Sequence, residues 1–208
     1  MHYDPAIFTR VGSLQEAKRI ILTDERELTT DERWERETPH ICDIIEQEID
    51  IRKESVVLDY GCGVGRIAKE LIKRHGCYVI GADIAPNMQA LAISYVASER
   101  FVACHPRALP LLNVKADIVI SVWVLQHVEN LSIEIGRIKQ AMTARSNLFV
   151  VNERGSRFVP TSKGWANDKI DVSAELKAEF ECLSEGHLSP HVVGDEQSQR
   201  TFWLTLQG

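Results

Sequence analysis

The sequence predicts an α/β protein with a doubly wound, mostly parallel sheet that ends in an antiparallel hairpin. Three observations carry this expectation. Short apolar runs alternate with stretches of helical periodicity between residues 55 and 151. A glycine-rich turn joins the first apolar run to the helical stretch after it. Near the end of the chain, two β-like segments at 180–188 and 201–206 follow one another with only a short loop expected between them. Repeated strand–helix alternation implies right-handed crossovers and parallel pairing. A connection that short permits only antiparallel pairing.

Composition narrows the class. The chain has 208 residues, 44% of them hydrophobic, which suits a single domain over 1–208 with a full core. The formal net charge is -6, and no basic run is interleaved with aromatics, so nucleic acid is a poor candidate partner. The five cysteines are odd in number and lack C-x-x-C spacing. That disfavours a disulfide framework or a structural zinc site and suits a reducing, cytoplasmic compartment. Residues 1–10 lack the pattern of a signal peptide, and no apolar stretch approaches the roughly 18 residues of a membrane span.

The elements follow in order. Residues 1–54 read as a helical N-terminal cap. Thr29 and Glu32 have capping-box spacing, Thr38-Pro39 reads as a helix start, and Ile41, Ile44, Ile45 and Ile49 share one helical face. Val56-Val57-Leu58 is continuously apolar, as in a strand buried on both faces. A helix over 66–74 stops at Gly76. Tyr78-Val79-Ile80 begins a second strand, and Pro86 opens the next helix. Phe101-Val102 is a third strand, 118–124 a fourth, 133–142 a helix and 148–151 a fifth strand. Residues 171–180 read as helical before the terminal pair.

The chemistry-bearing motif is Leu58-Asp59-Tyr60-Gly61-Cys62-Gly63-Val64-Gly65. Glycines between a buried strand and a helix permit a tight turn and close approach of a ligand to the backbone, beside free N–H groups of the helix N-terminus. The dinucleotide fingerprint G-x-G-x-x-G fails here, because its third glycine position is Arg66. Asp59 at the strand end suits a ligand with an amino or sulfonium charge better than a pyrophosphate. Asp83, about 20 residues past the turn at the end of the second strand, is placed for the hydroxyls of a ribose, or alternatively for capping the next helix.

Taken together, V-L-D-Y-G-C-G-V-G-R and G-A-D-I-A-P-N-M resemble the first two motifs of the class I S-adenosylmethionine-dependent methyltransferases. The likeness runs over 56–151 and extends to 206 through the hairpin. It implies a seven-stranded Rossmann-like sheet whose last inserted strand is antiparallel, with S-adenosylmethionine as cofactor. Gly61, Gly63 and Gly65 would form the cofactor loop. Asp59 would orient that loop and the methionine amino group, Asp83 would bind the ribose, and Ile84 and Met88 would pack on the adenine. Family members often carry G-D-A near the third strand, where this chain has His105 in place of the acid.

The acceptor end is less distinctive. The carboxyl end of the fourth strand reads S-V-W-V, which matches neither the N-P-P-Y of amino-group enzymes nor the Pro-Cys pair of cytosine enzymes. By elimination the acceptor is a small molecule. His127 is a candidate general base, since histidine titrates near neutral pH, or else a loop anchor. Glu153 is a second candidate base, or else an ion-pair partner of a nearby arginine. Residues 155–169 read as a long loop of the kind that forms lids. Arg154, Arg157 and Lys163 suggest an anionic acceptor, or else a solvated charged loop. Trp34 reads as a packing anchor. The opposing functional class is a catalytically silent fold that binds the cofactor or a partner.

Overall fold

A computed structural model describes residues 2–24, 28–155 and 157–208. Five strands alternate with helices: β1 (Val56–Tyr60), β2 (Tyr78–Ala82), β3 (Phe101–Cys104), β4 (Ala116–Val122) and β5 (Met142–Glu153). A short antiparallel pair follows, β6 (Val159–Thr161) with β7 (Gly164–Ala166), and the chain closes with β8 (Glu181–Gly186) and β9 (Thr201–Gln207). The seven-stranded sheet has the order β3-β2-β1-β4-β5-β9-β8. Strands β1 to β5 pair in parallel. Strand β9 is inserted between β5 and β8 and runs antiparallel to both. Strand order reverses between β1 and β4, the place where open α/β sheets open a crevice at their carboxyl ends.

Both sheet faces are covered, which is why β1 reads as an unbroken apolar run. Val57 packs with Ile118, Phe149 and the helices α3 (Thr30–Glu48), α4 (Arg66–His75) and α5 (Pro86–Val96). Its neighbour Leu58 points the other way, into a cluster with Val119, Leu148 and the helices α6 (Leu131–Ala141) and α7 (Val172–Glu179). Burying side chains such as Leu58 or Ile41 completely stabilises the fold by about 1.5–3 kcal/mol each. No helix among the described residues is long and apolar enough to cross a membrane.

The N-terminal region contributes α1 (Ala6–Thr9), α2 (Leu14–Ile21) and α3. Thr29 and Glu32 complete both arms of the capping box that starts α3. Thr38-Pro39 does not start a helix, contrary to the sequence expectation. Pro39 lies inside α3 and removes one backbone donor. The helix continues because Ile41, Cys42 and Ile45 on its far side are wholly buried against the core. Thr38 points its hydroxyl back to the Trp34 carbonyl at 2.6 Å. Trp34 is a packing anchor, with its indole N–H 3.2 Å from the Tyr95 hydroxyl.

Two other local expectations need correction. The stretch 155–169 is not a structureless loop: it contains the β6–β7 hairpin, which the N-terminus joins through a Tyr3–Thr161 bridge and the Asp4 N–H to Pro160 carbonyl bond at 3.0 Å. The last two strands are not joined by a short loop. Two short helices, α8 (Pro190–Val193) and α9 (Asp195–Arg200), lie between β8 and β9. Their pairing is antiparallel all the same, because the chain returns along β8 without crossing the sheet.

Candidate functional site

A cavity of about 350 Å³ opens at the carboxyl ends of β1, β2 and β4, under α1 and the end of α2. Gly61 and Gly63 form its floor. Both have left-handed backbones, with φ of 81° and 53°. A β-carbon on Gly61 would lie 2.2 Å from a Val124 methyl, and one on Gly63 would lie 2.8 Å from Ile21 Cδ1. Side chains are excluded there by both torsion and space. Gly61→Ala is therefore expected to destabilise the protein by roughly 1–3 kcal/mol, measured as a lower urea midpoint. Gly65 lies outside the cavity wall, and its close neighbour is Val96 of α5.

Asp83 lies in the cavity wall and braces the glycine loop. One carboxylate oxygen accepts the Gly63 N–H at 2.8 Å, and the other accepts the Ala85 N–H at 2.9 Å. Burial pushes its carboxyl up, and these two backbone donors oppose that shift. Asp59 is not a lining residue. It is 3% exposed, beneath the loop, and one of its oxygens has no hydrogen-bond partner among the described residues. Burial pushes its carboxyl up to about 7, against the opposing pull of Arg66.

Ile84 and the buried Met88 flank the β2 end of the cavity. His105, at the end of β3, also lines it. Its Nδ1 accepts the Arg107 N–H at 3.1 Å. An accepting Nδ1 leaves Nε2 as the protonated nitrogen in the neutral ring. An acid at this position would offer an acceptor; His105 offers a donor.

Several lining residues escaped the sequence reading. Tyr60 donates to Glu134, which also binds Arg137, and all three face the cavity. Tyr60 lay within the glycine motif, but Glu134 and Arg137 sit on an ordinary amphipathic helix that gives no signal. Tyr3 lines the cavity as well, and burial together with Glu129, Glu134 and Asp83 pushes its phenol up to about 12. Trp123 turns the chain at the end of β4 with a φ of 63°.

His127 lines the cavity, packed against Phe8 and Trp165. Its two ring nitrogens already have partners. Nδ1 is 2.8 Å from the Phe158 carbonyl, and Nε2 is 3.1 Å from the Gln126 amide nitrogen. A carbonyl can only accept, so Nδ1 carries the proton and Nε2 accepts from Gln126. The Gln126 oxygen accepts the Glu153 N–H at 2.9 Å, which fixes the amide in that orientation. Burial lowers the His127 pKa, so the ring is neutral near pH 7.

The remaining candidates lie elsewhere. Glu153 is not a lining residue and pairs with Arg200 at 3.0 Å. Arg157 is buried on the backbone carbonyls of Val128 and Glu129, beside Asp168. Arg154 bonds the Thr201 carbonyl and packs over Phe202, and Lys163 is exposed. None of the three basic residues lines the cavity, so they no longer argue for an anionic acceptor.

Residues 58–150 match the family model described as a methyltransferase domain. This segment is similar to methyltransferase domains, consistent with the class I S-adenosylmethionine-dependent resemblance that its motifs carry. No curated protein sequence matches the chain. The methyltransferase fold extends beyond the matched segment. An S-adenosylmethionine-dependent methyltransferase from Mesorhizobium loti superposes with a TM-score of 0.62 at 14% identity, over 81% of this chain and 98% of that one. The Haemonchus contortus phosphoethanolamine N-methyltransferase 2 bound to S-adenosyl-L-methionine gives 0.60 at 14%, over 81% and 52%. The [4+2]-cyclase SpnF gives 0.64 at 16%, over 80% and 79%.

The residues present fit S-adenosylmethionine, the ligand that the Haemonchus protein holds. The floor excludes β-carbons at Gly61 and Gly63, a carboxylate stands beside it at Asp83, and apolar walls stand at Ile84 and Met88.

Proposed function

We propose that the protein transfers a methyl group from S-adenosylmethionine to a small-molecule acceptor within this cavity. The observation that carries the reading is Asp83, a cavity-wall carboxylate tied directly to the glycine loop through the Gly63 N–H. When bound, the cofactor supplies an activated methyl on a sulfonium, so the protein's main task is alignment. Holding the reacting atoms about 3–3.5 Å apart can supply on the order of 7–11 kcal/mol.

Residue roles follow from position. Asp83 takes the ribose hydroxyls on its remaining lone pairs, and Ile84 and Met88 sandwich the adenine. His105 offers Nε2–H to a ring nitrogen of the adenine. His127, with both nitrogens engaged, orients the acceptor as part of the wall. It acts as a base only when the acceptor's proton-bearing group displaces the Gln126 amide from Nε2. Glu153 is left out of the reacting set because Arg200 holds it.

A silent binding module is the second reading. The engagement of both His127 nitrogens favours it, as does the cyclase among the similar structures. Calorimetry with S-adenosylmethionine, then an acceptor panel read out as S-adenosylhomocysteine formed, separates the two. Binding with acceptor-dependent product is expected. Absence of binding removes both cofactor-based readings, and binding without product on any acceptor favours the module. His127→Ala should lower turnover by about 10- to 100-fold through misplacement of the acceptor, with S-adenosylhomocysteine affinity unchanged. Undiminished turnover would remove His127 from the site.

A further inference from the structure

We propose that the indole N–H of Trp123 is the donor that recognises the carboxylate of the cofactor's amino-acid tail. The proposal rests on the methyltransferase reading of the cavity and adds a specific contact to it.

Three observations converge on this residue. Trp123 lines the cavity. Its Nε1 is screened from solvent and has no acceptor among the described residues. Its backbone occupies the left-handed region, with φ of 63°, which is costly for a bulky side chain. The backbone is held there firmly, since the Trp123 N–H bonds the Val151 carbonyl at 2.9 Å and the next residue, Val124, packs on Gly61. A strained residue bearing an orphaned buried donor at a cavity wall is the signature of a group awaiting a ligand atom.

Topology indicates which atom. The sheet order β2-β1-β4 sets three strand tips in a row. Asp83 follows β2, Gly61 and Gly63 follow β1, and Trp123 follows β4. A ligand with its ribose at Asp83 and its adenine toward Ile84 and Met88 extends its other end across the glycine floor to β4. That end carries an ammonium and a carboxylate. An indole N–H can only donate, so it matches the carboxylate and not the ammonium. The end of α2, through Ile20 and Ile21, closes the same cavity wall. For the tail to reach the indole, those two side chains have to move aside.

The test measures binding and needs no acceptor. Calorimetry compares wild type and Trp123→Phe against S-adenosylhomocysteine, its decarboxylated analogue and 5′-methylthioadenosine. The variant is expected to bind S-adenosylhomocysteine about tenfold or more weakly, the scale of a hydrogen bond to a charged group. It should bind the two ligands without the carboxylate as wild type does. Equal affinity of both proteins for S-adenosylhomocysteine overturns the proposal. Equal weakening for all three ligands also overturns it, since that marks a structural role. If wild type binds none of the three, the cofactor reading itself fails.

Should Trp123→Phe not fold, ¹⁵N-labelled wild type gives the answer. The chain has four tryptophans, and substituting the other three assigns their indole signals. The Trp123 indole proton should move downfield with S-adenosylhomocysteine and stay in place with the decarboxylated analogue. An unmoved or indiscriminately moved signal overturns the proposal.

Discussion

Asp83→Ala is expected to weaken S-adenosylhomocysteine binding about 100-fold or more, because one carboxylate serves two purposes. Its oxygens hold the Gly63 N–H at 2.8 Å and the Ala85 N–H at 2.9 Å. Truncation leaves two backbone donors without acceptors, each costing roughly 1–3 kcal/mol. The same change removes the acceptor proposed for the ribose hydroxyls, and hydrogen bonds to a charged group contribute about 1.5–3 kcal/mol. Losing the ribose contact while the floor beneath it loosens places the combined effect near or beyond 2.7 kcal/mol, the equivalent of about 100-fold. Asp83→Asn separates the two purposes. Its single oxygen can keep one backbone donor, while its amide group faces the other. It should therefore recover part of the thermal stability and little of the affinity. Calorimetry and thermal unfolding read the two effects independently. Wild-type affinity in Asp83→Ala would show that the ribose does not sit there.

The sequence carried the parallel part of the sheet because burial on both faces removes alternation. Val56-Val57-Leu58 and the run around Ile118–Val122 can pack nowhere else. It carried the glycine floor because left-handed torsions and a 2.2 Å approach leave glycine as the only fit at Gly61. Pro39 misled because the local rule against proline was outweighed by the wholly buried residues Ile41, Cys42 and Ile45 farther along α3. The β6–β7 hairpin was missed because strands of three residues are shorter than any periodicity test, and because Tyr3 joins them from the other end of the chain. The basic residues misled for a different reason. Charge is visible in sequence, but its partner is not, and Arg157 turned out to hold backbone carbonyls. His127 shows the same limit. Its position after β4 is legible, but the engagement of both nitrogens depends on Gln126 and Phe158.

Asp59→Asn is expected to make the ligand-free protein more stable at pH 8 and to change little at pH 4. Asp59 is 3% exposed, and its carboxyl is pushed up to about 7 by burial, from an ordinary value of 3.8. The nearby Arg66 guanidinium lowers it only in part, and that guanidinium donates to the Thr38 hydroxyl at 3.2 Å. Below about pH 4 the group is protonated in the folded and unfolded chain alike, so it has no pH-linked effect on stability. Between about pH 4 and 7 the unfolded chain releases its proton while the folded chain keeps it, and stability falls as pH rises. Above about 7 the whole cost is present. Three pH units at about 1.4 kcal/mol each set a ceiling near 4 kcal/mol, and relaxation around the orphaned oxygen brings the expected gain to roughly 2–4 kcal/mol. Asparagine nearly preserves the shape and removes the charge, so urea unfolding at the two pH values isolates the effect. A gain of equal size at pH 4 and 8 would show that packing, not ionisation, sets it. An acid that destabilises its own fold at neutral pH is explained if the cofactor's ammonium supplies the missing countercharge. The stabilised Asp59→Asn protein should then bind S-adenosylmethionine more weakly at pH 8 than wild type does. Calorimetry on the same samples decides whether Asp59 is retained for the ligand or only for the loop.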